Sequence, residues 1–261
     1  MSENPNPSPR QEQHNCPNCR DQRFVRNRDG KAIACPLCAN FLASSRLGEK
    51  EQENQLTAIQ PLAPIHAVGV HMAQGLLADR GGWLTLWGNY GSGKSLILTA
   101  LVADACRSGT LGRYYTGMDI LAVFQRDFAS QDDRASEAGK GMNLDFLSRI
   151  PVLAIDELTG FHTSSDWFAR HFVELLDRRH RSADHLVTIL ALNPNPADWC
   201  NGPGAAWGIS GPAILSRMND GRFCRDWPAG LQRPPGLKNS PIIPGVLRFD
   251  APDVRPHLRR S

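Results

Sequence analysis

Gly88-Asn89-Tyr90-Gly91-Ser92-Gly93-Lys94-Ser95 satisfies the pattern GxxxxGK[ST] at every fixed position, and it joins a short apolar run to a longer one. Before it, Trp83-Leu84-Thr85-Leu86-Trp87 has the length of a strand and follows a double glycine. After it, Leu96 to Cys106 is apolar enough for a buried helix. Strand, loop and helix in that order make a phosphate cradle. Glycines let the backbone approach a β-phosphate and turn several N–H groups inward, and the helix N-terminus adds roughly half a positive charge at the same place. Residues 88–95 are therefore expected to wrap a nucleoside triphosphate, with Lys94 reaching its β- and γ-phosphates and the Ser95 hydroxyl holding Mg²⁺. The plainer alternative is a glycine-rich turn before a core helix, which the flanking segments argue against.

A second motif lies some sixty residues on. Pro151-Val152-Leu153-Ala154-Ile155 reads as a buried strand ending in Asp156-Glu157. Asp156 is expected to hold Mg²⁺ through its water shell, and Glu157 to polarise an attacking water. Leu186 to Leu192 reads as a third buried strand. Asn193 follows it, where open parallel sheets place ligand-contacting residues. Two readings of Asn193 stay open: a group that orients water or senses the γ-phosphate, and a turn-former before Pro194. Helical spacing of Ile65, Val68, Met72, Leu76 and Leu77 places a helix against the sheet, with His66 and His71 as ordinary members of it. Arg113–Thr116 reads as a strand, Met118–Phe128 and Leu144–Arg149 as helices, and 129–141 as a mobile polar loop. Asp166–Arg181 is a helix with Phe168, Phe172, Leu175 and Leu176 on one face; Pro212–Met218 is a short one bearing Arg217; Phe223–Trp227 is a candidate last strand. The class is α/β, a parallel sheet flanked by helices.

The chain has 261 residues and a formal charge of +3, and Lys31, Lys50, Lys94, Lys140 and Lys238 are its only lysines. Its positive charge is thus mainly arginine, which suits phosphate contacts and permits nucleic acid without requiring it. No apolar run reaches the length of a membrane span, and the first fifteen residues are polar, so a cytoplasmic protein with no membrane partner is expected. Seven cysteines then need a role other than disulfides. Cys16, Cys19, Cys35 and Cys38 form two CxxC doublets at the spacing of a four-thiolate Zn²⁺ site, with a hairpin expected between them at Asp29-Gly30. The arginines around Phe24 fit either a nucleic-acid backbone, an acidic protein partner or a solvated surface. The domain plan is a disordered tail (1–13), a zinc module (14–41), a linker or loosely packed helix (42–60), the nucleotide domain (61–233) and a proline- and arginine-rich tail (234–261). The segment 198–211 has no evident role.

GNYGSGKS, AIDEL, Leu175-Leu176-Asp177-Arg178-Arg179, LALNPN and Ile214-Leu215-Ser216-Arg217-Met218 occur in an order and spacing that resembles the AAA+ ATPases of the DnaC type. These are bacterial and phage replicative-helicase loaders, with the transposition ATPase IstB as a near relative. The resemblance covers roughly residues 60–233 and implies a RecA-like (ASCE) P-loop core without a helical lid. Cysteine-rich modules similar to this one precede the ATPase domain in some loaders, whereas IstB-like proteins usually begin with helices. The resemblance further implies ATP as ligand, Asn193 as sensor I, and Arg217 as an arginine finger acting on ATP bound by the next subunit of a head-to-tail assembly. Arg233 stands near the sensor II position, in a loose match. Implied partners are a hexameric replicative helicase and single-stranded DNA, for which Arg126 is the one definite residue. Hydrolysis is expected to be slow without partner or DNA. An IstB-like role in remodelling DNA for a transposase, and a zinc-dependent nucleic-acid adaptor using ATP only as a clamp, are the alternatives.

Overall fold

The computed structural model describes residues 24–26, 30, 32–35, 41–132, 144–158, 166–201, 207, 210–219, 246–249 and 251. The chain divides into two compact units, Met1–Asn40 and Phe41–Ser261. In the first, β1 (Phe24–Arg26) and β2 (Ala32–Ala34) pair antiparallel, Phe24 opposite Ala34. This is the expected hairpin. Gly30 turns it with φ +76°, and the Arg26 guanidinium donates to the Gly30 carbonyl at 2.6 Å. Cys35 follows β2 and is fully buried. Cys16, Cys19 and Cys38 lie outside the described residues, and among the described residues no three His, Cys, Asp or Glu side chains gather around a metal-sized site.

The second unit runs α1 (Pro64–Asp79), β3 (Gly82–Trp87), α2 (Lys94–Arg107), β4 (Gly112–Thr116), α3 (Gly117–Asp132), α4 (Leu144–Arg149), β5 (Val152–Asp156), α5 (Asp166–His180), β6 (Val187–Leu192), α6 (Pro196–Asn201), α7 (Gly211–Met218) and β7 (Val246–Arg248). Its five strands stand in the order β4-β5-β6-β3-β7, and every pairing is parallel. Continuous apolar strands are what a sheet buried on both faces requires. Their period of two divides them between two helical layers. Leu84, Leu86, Val152, Ala154, Val187, Ile189 and Ala191 pack with α1 and α2, while Trp83, Leu153, Ile155, Leu190 and Leu192 pack with α3, α5 and α7. No helix among the described residues is long and apolar enough to cross a membrane.

Two expectations are corrected. Residues 42–60 do not behave as a linker: they belong to the second unit, with Leu47 and Leu56 buried. The Leu56 N–H donates to Asp104 at 2.9 Å, the Asn54 amide to Thr99 at 2.9 Å, and the Tyr114 N–H on the edge strand β4 to the Ser45 carbonyl at 2.9 Å. Leu47 and Leu56 join the core, Leu42 and Ile59 pack against it, and these hydrogen bonds give partners to backbone groups that need them once buried. The second correction concerns 234–261, expected as a tail. It supplies the edge strand β7, which pairs Val246, Leu247 and Arg248 with Thr85, Leu86 and Trp87. The candidate last strand at Phe223–Trp227 lies outside the described residues, as does Arg233. Helix α3 continues to Asp132, into the stretch expected as a loop, and α6 is an element the sequence did not announce.

Candidate functional site

The strand order decides the site. β6 stands between β3 and β5, with Trp87 level with Leu192 and Ile155 level with Leu190. The carboxyl ends of three neighbouring strands therefore deliver the glycine loop, Asn193 and Asp156 to one edge of the sheet.

The loop departs from β3 through Gly88, whose φ is +138°. A Cβ there would stand 2.6 Å from the Phe249 carbonyl oxygen, so glycine is required by the close approach of the β7 segment as well as by its dihedral. Gly91 and Gly93 also take positive φ, +73° and +94°. Gly93 precedes the first turn of α2, which opens with Lys94 and Ser95. The Lys94 ammonium donates to the carbonyls of Gly88 (2.9 Å) and Asn89 (2.7 Å) and to Ser92 Oγ (3.3 Å). The Ser92 hydroxyl in turn donates to the Asn89 carbonyl at 2.8 Å. Burial lowers the Lys94 pKa, and the Asp156 charge opposes that shift, which ties the two motifs electrostatically.

Asp156 is buried at the tip of β5. Its Oδ1 accepts the Glu157 backbone N–H at 2.7 Å and its Oδ2 accepts the Tyr114 hydroxyl at 2.8 Å. Burial, reinforced by the Asp156 charge, pushes the Tyr114 phenol far above its ordinary range, so it stays protonated as a donor. Glu157 turns off the strand with φ +51°, a left-handed conformation that costs a non-glycine residue about 1–2 kcal/mol. Such local strain lies where the second acid leaves the sheet edge.

Asp156, Glu157, Asn193 and loop residues 90–95 line one pocket of about 260 Å³. Gly88 and Asn89 stand behind it and contribute carbonyls to Lys94. The donor set fits a magnesium triphosphate: a lysine ammonium, loop and helix N–H groups and the Ser95 hydroxyl face a carboxylate whose remaining lone pairs suit a hard cation. Arg217 does not line this pocket; on α7 its Nε donates to Asp177 Oδ1 of α5 at 2.6 Å. The sequence reading missed Tyr114, His66 and Phe249. Tyr114 sits on β4 opposite Ala154, and only the strand pairing reveals that its hydroxyl reaches Asp156.

This architecture occurs in solved structures. A crystal structure of DnaI aligns with a TM-score of 0.51 and 14% identity, over 80% of this chain and 94% of that one. An AMPPCP-bound DnaA from Aquifex aeolicus aligns with a TM-score of 0.50 and 15% identity, over 66% of this chain and 48% of that one, so the match spans about half of the DnaA chain. No family model matches the sequence, and no curated protein does. The second unit shares the fold of these structures, a parallel five-stranded sheet flanked by helices.

Proposed function

We propose that this chain is an ATPase that binds Mg²⁺–ATP in the pocket between the glycine loop and Asp156, and that it acts as a loader of a replicative helicase onto single-stranded DNA. The observation that carries the nucleotide reading is the convergence of Lys94, Ser95, Asp156, Glu157 and Asn193 on one pocket. The loader reading is supported by the DnaC-type motif order over 60–233. The magnesium ion, when bound, neutralises charge on the triphosphate. Lys94 leaves the carbonyls of Gly88 and Asn89 for phosphate oxygens, Asp156 holds the metal's water shell, and Glu157 accepts a proton from the attacking water. Asn193 orients that water. Arg217 completes the site of a neighbouring subunit, in a head-to-tail assembly, and contributes on the order of 10³–10⁵ in rate. The cysteine doublets hold zinc, and substituting Cys16 by Ser should lower the metal content from about one zinc per chain.

Steady-state ATP hydrolysis tests the proposal, measured with and without single-stranded DNA and a hexameric helicase. Lys94→Ala is expected to abolish nucleotide binding, whereas Glu157→Gln should bind ATP and turn it over at least about a hundredfold more slowly. Wild-type rates in both would sink the assignment. Turnover stimulated by duplex DNA and a transposase instead would favour the IstB-like role. Tight ATP binding with no turnover under any condition would favour the clamp.

A further inference from the structure

His66 lies in the first turn of α1 and is buried, yet helical periodicity marks it as an ordinary helix residue. Its Nδ1 accepts two backbone N–H groups, from Leu62 at 3.0 Å and Ala63 at 3.2 Å. Two donors facing Nδ1 leave Nε2 as the protonated nitrogen. Nε2 lies 2.8 Å from the carbonyl oxygen of Ser92, inside the phosphate loop. The Phe249 ring packs against the imidazole at a tilt, centroids 5.5 Å apart. Helix α1 can come this close because it carries Gly69, where a Cβ would meet both Ile97 and the Phe249 ring at 2.8 Å.

A trans peptide points its C=O and its following N–H in opposite directions. Tying the Ser92 carbonyl back to His66 therefore turns the Gly93 N–H toward the pocket that Gly93 lines. From this we infer that His66 is a positioning residue for the triphosphate: it fixes the 92–93 peptide so that a backbone N–H is already aimed at phosphate before ligand arrives. The inference rests on the ATP-site reading above.

Two conservative variants separate the two ends of the imidazole. His66→Asn retains an acceptor where Nδ1 stands and loses the reach to Ser92; His66→Gln retains a donor where Nε2 stands and loses the cap on Leu62 and Ala63. Binding of a fluorescent ATP analogue with Mg²⁺ is measured beside thermal melting, on the full chain. The Asn variant is expected to melt near wild type and bind on the order of tenfold more weakly, whereas the Gln variant should melt lower and bind within about twofold of wild type. A purely structural histidine would instead lower affinity and melting temperature together in both variants, and that result, or wild-type affinity in the Asn variant, overturns the inference. Failure of wild type to bind the analogue, or undiminished binding by Lys94→Ala, removes the nucleotide reading itself and the inference with it.

Discussion

Asp156 takes hydrogen bonds at both carboxylate oxygens, from the Glu157 N–H next in the chain and from the Tyr114 hydroxyl on the neighbouring strand. Removing a group that orients a metal-binding carboxylate typically weakens the metal, so Tyr114→Phe should raise the Mg²⁺ concentration for half-maximal turnover about tenfold. Unchanged Mg²⁺ dependence would mean that the phenol only fills space. Arg179 shows the opposite case, a charge with a purely architectural role. It is fully buried, and its guanidinium donates to Thr188 Oγ1 (2.8 Å) and to the carbonyls of Leu147 (3.0 Å), Ile150 (2.8 Å) and Val187 (2.7 Å). Burial brings its pKa down to about 9, which leaves it charged at neutral pH. Four oxygen acceptors on α4, the β5 approach and β6 thus converge on one cation. Arg179→Ala strands all of them, and urea denaturation should register a loss of about 3–5 kcal/mol. The sequence offers Arg178 and Arg179 as equals at a helix end, yet Arg178 meets exposed Glu174 at 2.6 Å and belongs to the weak class of surface pairs.

At the scale of elements, β7 backs the glycine loop. Its three residues extend the sheet beside β3, and the following Phe249 is fully buried against His66 while its backbone forbids a side chain at Gly88. Phe249→Ala should cost about 3–5 kcal/mol in stability by chemical denaturation, and it should also weaken ATP binding because the loop loses its backing. A stability loss with unaltered affinity would uncouple the two. A three-residue strand amid prolines has no periodicity to read, so its existence depended on the free edge of β3. The segment 198–211 was similarly opaque. Trp207 stacks on Phe172 of α5 with centroids 5.4 Å apart and meets Trp199 of α6 edge-on at 4.7 Å. At Gly211 a Cβ would lie 2.0 Å from the Cys200 carbonyl, so α6 and α7 approach as closely as backbones allow.

For the whole molecule, the decisive question is whether one chain holds a complete site. Arg217 lies off the pocket of its own chain, and on the proposed head-to-tail reading mixing two variants is informative: a chain with Arg217→Ala keeps Glu157, and a chain with Glu157→Gln keeps Arg217. In a random equimolar mixture roughly a quarter of the neighbour pairs combine both intact groups, and ATPase activity should recover to about that fraction. No recovery on mixing would place the finger elsewhere. Taken alone, the sequence determined the glycine loop between strand and helix, the acid-tipped strand, the parallel α/β class and the hairpin between the cysteine doublets. Each of these is written in contiguous residues whose spacing follows backbone geometry. Tertiary structure alone decided that β6 separates the two motif strands, that Tyr114 and His66 brace the site, and that residues 42–60 and β7 belong to the second unit. Those features arise from groups distant in sequence, held by hydrogen bonds and close backbone approach, and such pairings leave no periodic trace along the chain.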